Sequence, residues 1–462
     1  MARLRSLASA LVVLGVLVAA CAPGEPSRPA APTAEAPKAA APTIAPATQA
    51  AATQPAAVAK QPVTLTFWHG MGGDQPGTQG GTLATLVKEY SRLNPHVSIK
   101  LDYTEYTGGS LRQKIMASIA AGNPPDLAQA FENEVAAYFK AGAIVALDDF
   151  MKGGSGLSAD DLKDIQKSLL DSGRFAQFEN RQLSFPFNRS LSVLWYNVPL
   201  LKAAGFEKPP ATWDDFRQLC DRVTKGGVTC WAIQPGATTF STFLWTRGGE
   251  LATPTFTEAR FNGPEGVAAF ELEQELVRKN QAYVSRGFDW QNDFGAQRVA
   301  MVFSSMVSDP FIDRVVKGAF EYSMAPYPTA PGKSTVTVLS GTNAVTFKTT
   351  PEKQAAAWDF VKWATGKEQT AFWAAETGYL PVRSSALETS TLKTVLEKRP
   401  RYKIALDLVP VARTEPNIET WTQVRDLLQD AENKVVSQTA SPKQALDEAA
   451  EKANAVLKQS KP

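Results

Sequence analysis

Apolar and polar residues alternate at the start of the globular part of the chain, and the period then changes to that of a helix. Residues 63–68 read Val-Thr-Leu-Thr-Phe-Trp, with the period of two that is typical of a strand, whereas the apolar positions of residues 83–93 recur at helical spacing. Residues 97–103, 111–121 and 127–131 then predict a strand, a helix and a short strand. This order predicts an α/β fold with parallel strands.

Polar loops follow the three predicted strands, at residues 69–81, 104–110 and 132–134. In an open α/β sheet the loops that leave the carboxyl ends of the strands form the ligand crevice. We therefore expect Tyr106 and Glu132, which lie in the second and third of these loops, to be binding residues.

Three long extended runs lie further along the chain, at residues 182–196, 322–327 and 336–347. The first is polar in the middle, apolar at both ends and interrupted by Pro186 and Asn188. Such a pattern suits a strand that crosses between two lobes, and the other two runs are candidates for the same role.

The segment Glu376–Arg383 ends a long helical run that carries two tryptophan-bearing helices. Gly378 fits the C′ position of the second helix, and Pro381 prevents the helix from resuming. Tyr379 is then held by its backbone while its hydroxyl is free to bind. On the local pattern alone, an ordinary surface loop between helices is the alternative.

Composition and charge narrow the class of protein. The chain has 462 residues, 44% hydrophobic and 20% charged, which is typical of a soluble globular protein with two or more domains. A net charge of +2, with no basic run interleaved with aromatic residues, argues against nucleic-acid binding. We find no internal repeat at periods of 20 to 50 residues.

The first 21 residues have the pattern of a signal peptide: two arginines, an apolar run and small residues before Cys21. Leu17-Val18-Ala19-Ala20-Cys21 resembles the bacterial lipobox, in which the cysteine is diacylated and becomes the new N-terminus. An ordinary secretory cleavage beside an incidental cysteine is the alternative. Residues 22–61, rich in Ala, Pro, Thr and Gln, predict a disordered tether.

Cys220 and Cys230 are the two other cysteines of the chain. In an exported protein they could form a disulfide that joins a helix end to the next strand, and two buried free thiols are the alternative.

Catalytic patterns are lacking in the sequence. The two histidines, His69 and His96, form no His-x-x-x-His pair and make no zinc pattern with the cysteines. Residues 153–156 lack the closing glycine of a nucleophile elbow, and residues 332–335 lack the first glycine of a phosphate loop. We therefore expect a protein that is not an enzyme and holds no metal or cofactor.

Seven short motifs together resemble the extracellular solute-binding proteins of carbohydrate-type ABC transporters. They are Phe67-Trp68-His69, Gly122–Asp126, Pro186-Phe187-Asn188, Leu194–Asn197, Pro210–Trp213, Ala300-Met301 and Thr377–Pro381. The resemblance covers residue 62 to the C-terminus and implies a two-lobed periplasmic-binding-protein fold with three hinge crossings, near 186–192, 322–326 and 339–342. It implies an N-terminal lobe of 62–189 plus 325–340 and a C-terminal lobe of 190–324 plus 341–460.

Within that family the chain is most similar to the glycerol-3-phosphate and glycerophosphodiester binding component. Residue by residue, the resemblance implies that the ligand contacts are Tyr106, Glu132, Ser190, Ser305, Gly341, Tyr379 and Arg425. An arginine, hydroxyls and a close backbone amide suit a phosphate, and a glutamate suits glycerol hydroxyls. The sequence departs from the family at Arg189, where a small residue is usual, and at 234–241, which lacks the tryptophans that cover the ligand.

The resemblance predicts a lipid-anchored receptor outside the cytoplasm that delivers glycerol 3-phosphate or a glycerophosphodiester to an ABC permease. It would contact the membrane through its anchor only and act as a monomer. A neutral oligosaccharide receptor is the alternative, because ten tryptophans could stack on sugar rings. A lipid-anchored hydrolase and a purely structural lipoprotein are more distant alternatives.

Overall fold

The computed structural model describes residues 61–106 and 109–460. Cys21, the predicted signal peptide and the predicted tether lie outside these residues. Within the described part of the chain, no helix is both long enough and apolar enough to cross a membrane.

The first third of the described chain alternates strands and helices, as predicted. Its elements are β1 (Val63–His69), α1 (Gln79–Leu93), β2 (Val97–Tyr103), α2 (Ser110–Ala120), β3 (Leu127–Ala130), α3 (Glu132–Lys140), α4 (Asp148–Lys152), α5 (Ala159–Asp164), α6 (Lys167–Asp171), β4 (Arg174–Phe175), β5 (Arg181–Gln182) and β6 (Phe185–Asn197). β1 pairs in parallel with both β2 and β3, which confirms the predicted parallel sheet.

The middle of the chain forms a second α/β unit. Its elements are α7 (Val198–Ala203), α8 (Trp213–Val223), β7 (Thr229–Ile233), α9 (Ala237–Trp245), α10 (Pro264–Arg278), β8 (Ala282–Val284), α11 (Trp290–Gly295), β9 (Val299–Ser305), α12 (Asp309–Val316), β10 (Tyr322–Ala325) and β11 (Thr337–Thr346). β7 pairs in parallel with β8 and β9, and β9 pairs antiparallel with β6.

The last third is mostly helical. Its elements are α13 (Pro351–Ala364), α14 (Lys367–Thr377), α15 (Ser390–Lys398), α16 (Tyr402–Leu408), β12 (Ala412–Arg413), α17 (Trp421–Val436) and α18 (Pro442–Leu457). Helix α14 ends at Gly378, whose φ of +77° is the left-handed conformation predicted for a C′ glycine.

One sheet path joins the two units, in the order β2-β1-β3-β11-β6-β9-β7-β8. β6 and β11 lie in the middle of the path and pair antiparallel with each other. β6 continues to β9 in one lobe, while β11 continues to β3 in the other. These two long strands are therefore two of the crossings between the lobes.

The N-terminal core is built around Phe67 of β1, with Trp358 and Phe360 of α13 and Trp373 of α14. The C-terminal core contains Ala325, Tyr327 and Val338 together with α8, α9, α10, α17 and α18. Residues 325–338 therefore pack in the C-terminal lobe and residues 351–382 pack in the N-terminal lobe. The division predicted from sequence places these two segments the other way round.

Residues 322–326 are not the third crossing, although the sequence predicted it there. Tyr379 and Val382 both pack in the N-terminal core, and Tyr402 packs in a core of the C-terminal lobe, so the third crossing lies between Val382 and Tyr402. β10 (Tyr322–Ala325) instead pairs with the far end of β6, from Leu194 to Asn197, and stays within the C-terminal lobe. Hydrophobic periodicity shows that a run is extended but not which strand it pairs with.

Cys220 at the end of α8 and Cys230 in β7 are joined by a disulfide, with an S–S distance of 1.98 Å and a Cα–Cα distance of 5.0 Å. Both residues are fully buried in the C-terminal core. The bond connects a helix end to the following strand.

Candidate ligand-binding site

β6, β11 and the segment that follows Gly378 meet at Arg189. Its guanidinium Nη1 donates a hydrogen bond to the carbonyl oxygen of Gly341 in β11 at 2.9 Å. Its own carbonyl oxygen accepts a hydrogen bond from the backbone N–H of Leu380 at 2.8 Å. Arg189 itself lies in β6 and has no exposed surface. We call Arg189, Gly341 and Leu380 the crossing junction.

Gly341 allows β6 and β11 to approach closely at this junction. Its φ is +85°, and a Cβ atom placed there would lie 2.1 Å from the carbonyl oxygen of Asn188. No other residue fits without a shift of the strands. Ser190, a predicted contact, is buried on β6 opposite Ser340.

Glu132 is held against the junction from the N-terminal lobe. It is the first residue of α3, directly after the short loop that leaves β3. Its Oε1 lies 2.5 Å from Arg189 Nη2, so the two side chains form an ion pair. Burial raises the pKa of Glu132, and the Arg189 charge opposes that rise. The carboxylate is thus committed to an ion pair.

Tyr106 lies behind Glu132, on the other side of the first turn of α3. Its hydroxyl donates to Oε2 of Glu134, and its ring packs edge-on against Phe131 at 5.0 Å between centroids. The same Glu134 oxygen accepts the Phe131 N–H at 3.0 Å. Burial raises the pKa of Glu134 to about 6. Glu134 was not predicted, although its place at N3 of α3 is the signal for a helix-capping glutamate.

Tyr379 has little exposed surface, in contrast to a surface loop. Its ring stacks on Trp373, with centroids 6.0 Å apart and planes 20° apart, and its carbonyl oxygen accepts the Tyr402 hydroxyl at 2.5 Å. Burial raises the pKa of Tyr379, while the nearby Asn188 and Gln79 side chains and the Arg189 charge oppose the rise. The hydroxyl therefore lies in a polar environment close to Arg189.

Ser305 ends β9 close to the end of α14. It pairs with Ser192 of β6, and its Oγ accepts the Val307 N–H at 3.3 Å. A Cβ atom on Gly378 would lie 3.8 Å from the Cα of Val307. Ser305 is thus close to the junction, but its hydroxyl already closes a local turn.

Arg425 approaches from the C-terminal lobe, on α17. One Nη donates to Glu415 Oε2 and the other donates to Thr238 Oγ1 at 3.1 Å. Its side chain is 36% exposed. Burial alone would lower the pKa of Arg425. The charges of Glu415, Asp426 and Glu132 outweigh this effect and raise the pKa above its ordinary value. The hydrogen bond from Asn133, next to Glu132, to Thr422 of α17 brings this helix against the opposite lobe.

Glu415 is a site residue that the sequence prediction missed. Besides Arg425, it accepts hydrogen bonds from Ser241 Oγ at 2.9 Å and from Trp421 Nε1 at 3.1 Å. Glu415 lies in a polar segment after β12. The apolar residues of this segment show neither helical nor strand periodicity, so no pattern marked it as part of a site. Thr238 and Ser241 come from α9, in the region where the expected tryptophans are missing. Ser241 hydrogen-bonds the acid there, and Thr238 accepts a hydrogen bond from Arg425.

Polar contacts close the cleft between the lobes. Lys140 Nζ lies 2.6 Å from Glu419 Oε1, and Gln177 Nε2 donates to the Asn417 carbonyl at 2.8 Å. Asn417 Nδ2 donates in turn to the Arg174 carbonyl at 3.0 Å, and Asn133 donates to Thr422. We call residues 417–422 with these partners the lobe clasp. The structure therefore shows a closed arrangement of the lobes.

The structure brings most of the predicted binding residues to one region. Glu132, Gly341 and Tyr379 surround Arg189, and Arg425 faces them from the other lobe. Tyr106 supports this group from behind, and Ser190 and Ser305 line the crossing strands. Within residues 61–106 and 109–460, no group of three or more His, Cys, Asp or Glu residues could hold a metal ion. That these residues contact a ligand remains a prediction.

Comparison with known proteins identifies relatives over most of the chain. The family model described as bacterial extracellular solute-binding protein matches residues 85–399. The sn-glycerol-3-phosphate-binding periplasmic protein UgpB of Pectobacterium atrosepticum is 27% identical over 429 residues, which cover 87% of this chain and 92% of that protein. UgpB from Escherichia coli is also 27% identical, over 431 residues.

Solved structures of solute receptors share the fold. UgpB from Mycobacterium tuberculosis, in complex with glycerophosphocholine, superposes with a TM-score of 0.75 at 23% identity, covering 86% of this chain and 99% of that one. The GacH receptor of Streptomyces glaucescens, solved without ligand and with acarbose, superposes with a TM-score of 0.75 at 20% identity, covering 87% and 100%. These similarities confirm the two-lobed fold and the prediction that the chain is not an enzyme, because the relatives are binding proteins.

Proposed function

The chain belongs to the bacterial extracellular solute-binding proteins of ABC transporters, and we propose that its solute is sn-glycerol 3-phosphate or a glycerophosphodiester. Its predicted partner is the permease of an ABC importer. The relatives named for glycerol 3-phosphate match it over 87% of its length.

The position of Arg425 is the observation that supports a phosphate-bearing solute. Its guanidinium is oriented by Glu415 and Thr238 and is still 36% exposed. A planar, forked and permanently charged donor suits the oxygens of a phosphate. Asn133, next to Glu132, donates to Thr422 on the helix that carries Arg425, so a solute held by Arg425 would lie close to the N-terminal lobe.

Closure of the lobes would link capture to delivery. The lobe clasp joins the N-terminal lobe to residues just before and at the start of α17, the helix that carries Arg425. A solute that binds both lobes favours the closed state by its difference in affinity for the two states. The permease would then meet a single surface made of both lobes.

Isothermal titration calorimetry tests this function. We expect heat of binding with glycerol 3-phosphate or glycerophosphocholine and none with maltose or maltotriose. No heat with either phosphate ester, together with clear binding of one of the sugars, would exclude the proposal. Product analysis after incubation would show both esters unchanged.

The charge balance of the site keeps a neutral oligosaccharide as the second candidate. Arg189 is paired with Glu132 and Arg425 is paired with Glu415, so each cation already has a counter-ion. The GacH receptor, which shares the fold, was solved with the sugar-like acarbose. The same titration distinguishes the two candidates, because a site for neutral oligosaccharides would give heat of binding with the sugars and none with the phosphate esters.

We also propose that the mature protein is a monomer anchored by lipid on Cys21. The N-terminal pattern supports an extracytoplasmic location, as in its periplasmic relatives. A Cys21→Ser variant expressed in a bacterial host should move from the membrane fraction to the soluble fraction. Retention of that variant on the membrane would contradict the anchor.

A further inference from the structure

A cavity of about 310 Å³ lies in the C-terminal lobe, and none of the seven predicted ligand contacts lines it. Its walls come from the first turns of α8 and α10, from Arg247 just after α9, and from Ala330 and Pro331. Binding pockets for small molecules have volumes of about 300–1,000 Å³. This cavity therefore has room for a small organic molecule.

Arg247 is a cation at this cavity that has no counter-ion. Only 7% of its surface is exposed, and its guanidinium carbon lies 4.0 Å from the ring centroid of Trp213. Its Nη1 donates to the Phe243 carbonyl at 3.0 Å, but it forms no ion pair with any carboxylate of residues 61–106 and 109–460. Stacking uses the face of a guanidinium and leaves its N–H edge for acceptors. The cavity is where such an acceptor could bind.

The two acids that line the cavity have other positions to fill. Asp214 lies 3.4 Å from Arg217, which also binds Glu275 at 3.1 Å. Glu265 lies in the first turn of α10, and a Cβ atom on Gly263 would lie 3.3 Å from its Oε2. Its carboxylate is thus turned toward the start of its own helix. Neither acid neutralises the guanidinium.

Glu273 does not neutralise Arg247 either. It is fully buried, and neither of its carboxyl oxygens accepts a hydrogen bond from the described residues. Burial raises the pKa of Glu273 to about 8, so this group is mostly protonated at neutral pH. Burial and the charge of Arg217 lower the pKa of Arg247 to about 9, so the guanidinium is still charged there. A nearly buried charge without a partner is costly, which favours an anion from outside the chain.

We propose that this cavity is a second binding site, which takes a small organic anion whose carboxylate accepts hydrogen bonds from the free edge of Arg247. A forked, charged donor suits a carboxylate. The apolar body of the anion would pack against Ala268, Ala330 and Pro331, which also line the cavity. The site lies outside the cleft between the lobes and does not depend on the proposed solute.

Benzoate and benzamide are suitable probes, because they have nearly the same shape and differ in charge. A titration followed by saturation-transfer NMR measures the affinity of each for the wild-type protein. Benzoate should bind about tenfold or more tightly than benzamide, since it accepts charge-assisted hydrogen bonds. Equal affinities, or no binding of benzoate, would overturn the inference.

Arg247→Met should weaken benzoate binding by about tenfold or more, because the variant keeps the apolar stem and loses the donors. Arg401→Met is the matched control. Arg401 also stacks on an aromatic ring, at 4.2 Å from Tyr322, but it is paired with Asp309 at 2.6 Å and lies outside the cavity. Its loss should lower the melting temperature without changing the affinity for benzoate. Unchanged benzoate binding in a folded Arg247→Met protein would contradict the proposal.

Two further variants decide the location of the site. Ala268→Phe should fill the cavity from α10 and abolish benzoate binding while Arg247 is kept, which covers the case in which Arg247→Met does not fold. Benzoate binding that survives Ala268→Phe would place the anion elsewhere. Arg425→Ala should bind benzoate like the wild type, and loss of benzoate binding in that variant would place the anion in the cleft. Failure of glycerol 3-phosphate to bind would concern the proposed function and leave these benzoate results unaffected.

Discussion

The carboxylate of Glu415 binds the guanidinium of Arg425 and at the same time accepts hydrogen bonds from Ser241 and Trp421. Two helices of the C-terminal lobe, α9 and α17, therefore hold the Glu415 carboxylate in place, and the carboxylate orients the arginine. The arginine needs no ligand to hold its orientation, so an incoming phosphate meets a preorganised donor.

Replacement of Arg425 by alanine should remove most of the affinity for a phosphate ester. Loss of charged hydrogen bonds predicts a decrease of about tenfold to a hundredfold in affinity for glycerol 3-phosphate. The measurement is calorimetric titration. Lys434→Ala is the control, because Lys434 lies on the same helix but pairs with Glu448 at the surface. Equal affinities for Arg425→Ala and wild type would rule out phosphate recognition by this residue.

Removal of the Tyr379 hydroxyl should affect binding and not folding. The ring would still stack on Trp373, and the hydrogen bond from Tyr402 goes to the Tyr379 backbone. If the hydroxyl contacts a charged solute, Tyr379→Phe should weaken binding by ~1 kcal/mol or more. Titration and a melting curve measure the two effects. A lower melting temperature with unchanged affinity would assign the hydroxyl a structural role.

A methyl group at Gly341 should destabilise the hinge. The backbone there has a positive φ, and the new Cβ atom would lie 2.1 Å from the Asn188 carbonyl. We expect Gly341→Ala to lower the free energy of unfolding by about 2 kcal/mol or more. Gly154→Ala is the control, since nothing lies within 4 Å of the added atom. Denaturant unfolding of both variants gives the comparison, and similar stabilities would contradict the close approach.

Two buried acids beneath α9 should make stability depend on pH. Glu273 and Glu432 are fully buried; Glu432 accepts the Gly236 N–H at 2.7 Å, and Arg247 is the cation that acts on Glu273. Burial raises the pKa of both carboxyl groups above the ordinary 4.5, and each acid opposes ionisation of the other. A raised pKa means that the folded state binds the proton more tightly than the unfolded state does. Protonation of Glu273 and Glu432 therefore stabilises the fold fully below pH ~4.5, and this stabilisation is lost as the pH rises.

The measurement is the melting temperature between pH 5 and 9 for the wild type and Glu273→Gln. The variant should lose less stability than the wild type as the pH rises, because glutamine cannot ionise. Parallel curves would show that Glu273 does not change its protonation with folding. Glu258→Gln, at an exposed residue paired with Arg260, is a suitable control.

The disulfide should be detectable in solution. A thiol assay on the denatured, unreduced protein should find neither Cys220 nor Cys230 reactive. Reduction should then destabilise the fold by roughly 2–4 kcal/mol, since a short loop is released. Two reactive thiols before reduction would exclude the bond.

The sequence was sufficient to predict local structure. Gly378 ends α14 in the left-handed conformation predicted for it, and the apolar positions of residues 83–93 lie in α1. Such features depend on residues three or four positions apart, where the pattern is visible in the chain.

Contacts between distant segments were not predictable in the same way. Two ion pairs, Arg189 with Glu132 and Arg425 with Glu415, join segments that no sequence pattern links to each other. The third crossing was placed wrongly at residues 322–326 for a similar reason, because an extended run does not show which strand it pairs with. Family resemblance supplied the candidate residues but not their counter-ions.

Tyr379 and Leu380 are adjacent residues that pack in different cores. Val382 returns to the core of Tyr379, so Leu380 is a single side chain that reaches from one lobe into a core of the other. When the lobes rotate apart, Leu380 must leave one of its two surroundings. Changes to its side chain would therefore alter the rates of opening and closing, and with them the residence time of the solute, even where every polar contact in the closed state is preserved.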